Sequence, residues 1–233
     1  MSFIEFKDVH REYYVGDSII KAVDGVNFHI KENTFNVILG QSGAGKSTVL
    51  NMLGGMDSPT GGTIFVANKE ISNMNDLELT TYRRESIGFV FQFYNLVPNL
   101  TALENVQLAE EICSNPLNPK EMIIKVGLKE RMHNFPSQMS GGEQQRVSIA
   151  RALAKNPNII LCDEPTGALD SETGRMVLGL IQKVARDLKK TVIVVTHNAP
   201  IAEIAQQVIH MKDGKIFEIK TNPYPKSVEE IEW

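Results

Sequence analysis

The sequence predicts an α/β fold: a buried parallel sheet flanked by helices, with an antiparallel β subdomain and a helical insert. Three observations carry this. "NIILCDE" and "TVIVVTH" are short, continuous, β-branched apolar runs, the mark of strands covered on both faces. Between them, Val177, Leu180, Ile181, Val184 and Leu188 recur at helical spacing, so strand, helix and strand form a right-handed crossover unit. Near the amino terminus the texture is instead alternating, as in half-buried antiparallel strands.

Taken in order, residues 3–9 and 23–31 alternate. In "VDGVNFHIK", Val26, Phe28 and Ile30 point one way and Asn27, His29 and Lys31 the other. "TFNVILG" is an apolar strand that runs into a glycine-rich loop, then a helix over 46–53. "GGTIFVANK" reads as a further edge strand. "IGFVF" is strand-like and is followed, over about 93–150, by several helical patterns without a strong strand signal. Ser140 and Glu143 form an S-x-x-E capping box before Val147, Ala150, Leu153 and Ala154. After the two buried strands, the tail "KTNPYPKSVEEIEW" is broken by Pro223 and Pro225, so it is expected to be extended before a short last turn. The organisation this predicts is a core over 1–92 and 151–220 that includes the antiparallel subdomain, a helical subdomain over 93–150, and a tail over 221–233.

The 233 residues suffice to bury a core. A formal net charge of −4 argues against a general nucleic-acid binder, which needs a basic face. The two cysteines, Cys113 and Cys162, lie far apart in unlike contexts, so a reducing compartment is expected. No apolar run reaches the ~18 residues that span a bilayer, and the charged amino terminus is not a signal peptide. A cytosolic location follows as the expectation, with any membrane role carried by a partner.

Chemistry concentrates in five places. "GQSGAGKS", Gly40, Gln41, Ser42, Gly43, Ala44, Gly45, Lys46 and Ser47, fits the G-x-x-x-x-G-K-[ST] phosphate loop between a strand and a helix. There backbone amides converge on phosphates, Lys46 reaches the β/γ-phosphates and Ser47 ligates Mg²⁺. "NIILCDEP" ends a buried strand in two carboxylates: Asp163 suits Mg²⁺, and Glu164 suits the general base for water. His197 follows the other buried strand, at the carboxyl edge where α/β sheets place ligands, in reach of the γ-phosphate. Gln92 follows "IGFVF" and offers an amide to Mg²⁺ and the attacking water. Finally, "SGGEQ" opens a helix with Gly141 and Gly142, which together cost about 1–2 kcal/mol of helix stability. A helix start stripped of side chains is an anion site, yet one triphosphate needs only one cradle. The spare cradle points to a nucleotide bound by a second copy of the chain.

With these in hand, the sequence resembles the ATP-binding subunits of ABC transporters, a P-loop NTPase fold with a RecA-like parallel core. Gly40–Ser47 matches Walker A, Gln92 the Q-loop, and "SGGEQ" at Ser140, Gly141, Gly142, Glu143 and Gln144 the signature. "IILCD" with Glu164 matches Walker B, "GALD" ending at Asp170 the D-loop, and His197 the switch histidine. The resemblance implies an ATPase using ATP and Mg²⁺, with Thr48 joining the phosphate loop and Ser47, Gln92 and Asp163 at the metal. It implies an aromatic residue stacking on adenine, Tyr13 by spacing or Tyr14 as the alternative. It also implies a head-to-tail homodimer in which the signature meets the partner's ATP and Asp170 couples the two sites. A membrane permease would dock on "FYNLVPNLTALENV", through Tyr94 and Pro98 more than through Leu103 and Val106, and an accessory membrane-fusion protein can accompany it. "VFQFYNLVPNLTALENV" with "DEPTGALDSETG" is similar to the subgroup serving macrolide and antimicrobial-peptide exporters and lipoprotein-release systems. The place implied is the inner face of the cell membrane. A soluble ABC-type ATPase of DNA repair or translation is the alternative; it lacks support from any coiled-coil insertion or Cys/His cluster.

Overall fold

A computed structural model describes residues 2–232. A 12-residue strand β1 (Ile4–Val15) turns at Gly16–Asp17 into β2 (Ser18–Ile30). With β4 (Gly61–Val66) and the two-residue β5 (Lys69–Glu70) they form an antiparallel sheet ordered β2-β1-β4-β5. The alternation predicted in β2 is present: Val26, Phe28 and Ile30 are buried, while Asn27 and His29 are not. Two strand readings need correction. The first strand continues past residue 9 to the hairpin tip, and β4 is not an edge, because β5 pairs with its outer side.

The second sheet has six strands in the order β10-β9-β3-β8-β7-β6. Here β3 is Phe35–Leu39, β6 Ile87–Val90, β7 Ile159–Asp163, β8 Thr191–Thr196, β9 Gln207–Lys212 and β10 Lys215–Thr221. All neighbours are parallel except β9 and β10, which form a hairpin. The two apolar runs of the sequence are thus adjacent parallel strands, with Ile160 opposite Val192 and Asp163 opposite Val195.

Period-2 geometry divides these strands between two cores. Ile38, Ile159, Leu161, Ile193, Val195 and Ile209 face one side. There they meet helix α1 (Lys46–Leu53) and the inner face of the antiparallel sheet, so α1 is packed between two sheets. The alternate residues, Val37, Ile160, Cys162, Val192, Val194 and Val208, face the opposite side. That side is covered by α3 (Ala102–Ile112), α4 (Pro119–Lys125), α5 (Gly141–Ala154) and α6 (Ser171–Asp187). Each fully buried aliphatic side chain contributes about 1.5–3 kcal/mol relative to leaving it exposed.

Helix α2 (Asp76–Ser86) is absent from the sequence reading. It buries only Leu79 and Tyr82, too little for an apolar stripe, and is anchored by an Asn75/Glu78 capping box. Among the described residues after Thr221 there is no further strand, and a turn over Val228–Glu230 follows, with Val228 and Ile231 buried. Among the described residues, no helix is long and apolar enough to cross a membrane.

Candidate functional site

The carboxyl ends of β3, β7 and β8 open into a cleft of about 950 Å³. The loop between β3 and α1 forms its floor. Gly45 carries φ +92°, in the left-handed region, and a Cβ there would collide with the Ala22 carbonyl oxygen. Side chains are excluded because the loop is pressed between β2 and the β9–β10 turn, whose Gly214 N–H donates to the Ala44 carbonyl at 3.2 Å. At Gly45 the backbone itself therefore forms the floor, an arrangement that lets backbone amides approach a phosphate. Lys46 is largely buried, and its Nζ donates to the Gln41 carbonyl at 3.0 Å, folding the ammonium back over the loop.

Next to it, Ser47 Oγ donates to Asp163 Oδ1 at 3.0 Å. Burial pushes the Asp163 carboxyl above its ordinary value, against the opposing pull of the Ser47 hydrogen bond. One residue on, Glu164 sits at φ +46°, an uncommon conformation for a side-chain-bearing residue. Its N–H donates to the Val195 carbonyl, which fixes the turn on β8. The Thr196 hydroxyl donates to Glu164 Oε2 at 3.2 Å, and His197 Nδ1 lies 2.9 Å from Oε1. With Glu164 ionised, the proton of this pair belongs on Nδ1. His197 Nε2 then points away from the carboxylate on a side chain that is 67% exposed. Gln92 lines the same cleft.

The predicted cleft residues therefore converge. Gln41, Ser42, Gly43, Gly45, Lys46, Ser47, Thr48, Gln92, Asp163, Glu164 and His197 all line it; Gly40 and Ala44 lie behind, against β9. A hydroxyl, one carboxylate and an amide beside a phosphate cradle suit Mg²⁺, which binds through few protein oxygens together with substrate phosphates.

Three predicted groups do not line the cleft: Tyr13, the Ser140–Gln144 segment and Asp170. Tyr13 gives its hydroxyl to Asp57 at 2.6 Å, and the Arg11 guanidinium lies 4.6 Å from its ring centre. Its cross-strand partner is Ile20, which lines the cleft together with Lys21, the partner of Glu12. Tyr14 pairs with Ile19 and faces the other way. Both hairpin faces thus reach the rim of the cleft, and Tyr13 and Tyr14 sit on opposite ones.

Residues Ser140–Gln144 are also remote from this cleft. The capping box is formed: Ser140 N–H donates to Glu143 Oε2 at 2.8 Å, which holds the Glu143 carboxyl below its usual range. Gln144 turns inward onto the Pro136 and Met139 carbonyls. The two glycines also have a reason inside the chain, which corrects the view that they serve a second copy alone. A Cβ on Gly142 would collide with Thr173 of α6, and one on Gly141 would lie 2.6 Å from the Tyr94 hydroxyl. Ser140 Oγ accepts from the Glu143 N–H at 3.3 Å, and its hydroxyl also bonds the Glu143 carboxyl, so the amides of Gly141 and Gly142 are the ones left without an intrahelical acceptor. Asp170 caps α6 through the Thr173 N–H at 3.0 Å, and this bond lowers its carboxyl pKa.

Thr196, Ile20, Lys21, Ala22, Asp213 and Gly214 complete the site and are missing from the sequence reading. The β9–β10 turn carries no motif; its position behind the loop is a property of the fold.

Comparison with known proteins gives one consistent result. The sequence model of the ABC transporter family matches residues 23–167. An uncharacterised ABC transporter ATP-binding protein of Methanocaldococcus jannaschii, MJ0796, is 47% identical over 225 residues, spanning 91% of this chain and 94% of that one. A dimeric structure of MJ0796 in a post-hydrolysis state with ADP and Pi matches with TM-score 0.85 and covers 94% of this chain and 98% of that one. An ABC transporter ATP-binding protein of Mycoplasma pneumoniae is 45% identical across 99% of this chain, which spans only 50% of its length. The macrolide export ATP-binding/permease protein MacB of Hyphomonas neptunium is 42% identical over 91% of this chain, which spans 34% of it. A phosphate loop, a paired Ser47–Asp163 and a braced Glu164, on a chain with these relatives, leave one assignment: the protein belongs to the ABC transporter family, as an ATP-binding cassette that hydrolyses ATP.

Proposed function

We propose that two copies of this chain close head to tail around ATP and so drive a separate membrane permease. The observation that carries this is the division of the site. Lys46, Ser47, Asp163, Glu164 and His197 share one cleft, while Ser140, Gly141 and Gly142 form a second glycine-led helix start that does not reach it. A second copy supplies the missing half. The dimeric MJ0796 structure supports the arrangement.

In this reading the amides of Gly40–Thr48 and the Lys46 ammonium hold the phosphates. Ser47, Asp163 and Gln92 would hold Mg²⁺, which when bound neutralises charge on the transferring phosphoryl group. Glu164 accepts the proton of the attacking water. His197 and Thr196 each take one of its carboxylate oxygens, so the base is oriented before the water arrives. Tyr13, held by Asp57 and Arg11 in the hairpin beside the cleft, is the platform for adenine. Asp170, at the start of α6, lies where the two sites communicate.

The permease docks beside the Gln92 segment. Phe93 is 73% exposed, Pro98 is exposed and Tyr94 half-buried, while Val106 belongs to the core. Phe89 and Phe91 stack at 5.2 Å and line an apolar groove of about 240 Å³ with Leu108, Ala109 and Ile112. This surface suits a short amphipathic helix from a membrane protein, which would hold the cassette at the inner face of the cell membrane. The MacB likeness favours export of macrolides, and the motif resemblance extends this to antimicrobial peptides or lipoproteins, with an accessory membrane-fusion protein where one exists.

Steady-state hydrolysis by Glu164→Gln tests the assignment of the base. Turnover falls by about 10²–10⁴-fold, the usual worth of a general base, while ATP still binds. Parent-like turnover would remove Glu164 from the mechanism.

A further inference from the structure

Helix α5 carries a fully buried glutamine that neither the motifs nor the mechanism uses. Gln145, at 0% exposure, donates through Nε2 to the Pro165 carbonyl at 2.8 Å and to the Phe91 carbonyl at 3.2 Å. Phe91 immediately precedes Gln92, and Pro165 immediately follows Glu164. One side chain therefore ties the signature helix to the backbone on either side of the site. Two carbonyls facing one amide fix its orientation, since only the NH₂ end can satisfy both. The cost is visible at the other end: no donor among the described residues reaches the buried Oε1. A stranded oxygen in a core is worse for stability than an apolar side chain of the same volume. The glutamine is therefore not explained by packing alone, whereas the placement of two site segments explains it.

The surrounding contacts run the same way. Arg151, further along α5, donates to the Tyr94 and Asn95 carbonyls at 3.0 and 2.6 Å, so the helix grips the segment after Gln92 as well. The Gln92 amide in turn packs near the Gly167 Cα, in the turn beyond Pro165.

We infer that Gln145 is a positioning residue for ATP hydrolysis, setting the relative placement of Gln92 and Glu164 and linking both to the signature helix of the same chain. This rests on the reading of Glu164 as the base. Breaking the two bonds leaves the phosphate loop intact but lets the Phe91–Gln92 and Glu164–Pro165 segments drift. Misplacement by about 1 Å can cost about 10²-fold in rate.

The test uses the full chain with Gln145→Glu, which keeps shape and loses the donor, and Gln145→Met, which keeps volume and fills the core with apolar atoms. Both are expected to lower kcat for ATP by about 10- to 100-fold with unchanged single-chain ATP affinity, and Gln145→Met is expected to unfold at or above the parent's midpoint. Placed on Glu164→Gln, Gln145→Met adds a smaller loss than on the parent, because one of the two groups it positions is gone. Parent-like kcat in a folded Gln145→Met variant overturns the inference. So does a fall in kcat that tracks lost ATP affinity or lost stability, or a loss that multiplies fully with that of Glu164→Gln. Failure of the base assignment is separate: it shows in Glu164→Gln alone.

Discussion

Glu164 is held in a conformation that most side-chain-bearing residues avoid, at φ +46°, and its carboxylate is held by Thr196 and His197. Strain of this kind persists only where neighbours over-determine it, and it gathers at reacting centres. Gly142 shows the converse, a position where an absent side chain is needed. Gly142→Val is expected to destabilise the chain by about 1–3 kcal/mol through overpacking, read by urea denaturation, because its side chain meets the Thr173 methyl. Removing that methyl with Thr173→Ala should recover part of the loss, a non-additivity that a double-mutant cycle detects. Strict additivity would mean that the two residues do not press on each other. Residue types at motif spacing were legible in the sequence, and with them the cleft. Gly142's neighbour was not, because Thr173 is 31 positions away and is brought in by the packing of α6 on α5. Likewise the Tyr13–Asp57 hydrogen bond was not legible, because Asp57 lies 44 positions away, beyond α1.

At the scale of elements, capping sets where several helices begin. Asn75/Glu78, Thr101/Glu104 and Ser140/Glu143 each close a reciprocal box at the start of α2, α3 and α5. Thr101→Ala is expected to cost about 1 kcal/mol by chemical denaturation at neutral pH. The pH dependence follows from the carboxylate. Backbone and side-chain hydrogen bonds from Thr101 hold Glu104 below its usual range. Its contribution is therefore complete above the unfolded pKa of about 4.3 and is lost as pH falls through the lower folded value. Glu104→Ala should be less stable than the parent at pH 7, and the difference should close on acidification below about pH 4; a gap that persisted in acid would mean the ionised carboxylate is not the stabilising group. Buried strands and long apolar helices announce themselves by period. Helix α2, with two buried residues, and the β9–β10 hairpin, whose outer strand is mostly exposed, do not.

At the scale of the molecule, two sheets and α1 hold the phosphate loop rigid from both sides, while the helical layer carries the signature away from it. The spare glycine-led helix start in the sequence already pointed to a site shared between two copies. The depth of the coupling did not show there, since α5 reaches the site through Gln145 and Arg151 to backbone carbonyls, which carry no sequence signature. The account stands on ATP-dependent pairing of two chains. Sedimentation of Glu164→Gln tests it most directly. With ATP the particle should have twice the monomer mass, with ADP it should remain a monomer, and Ser140→Arg on the same background should bind ATP yet stay monomeric. A Glu164→Gln chain that is saturated with ATP and still sediments as a monomer, or a Ser140→Arg chain that pairs as well as its parent, would contradict it.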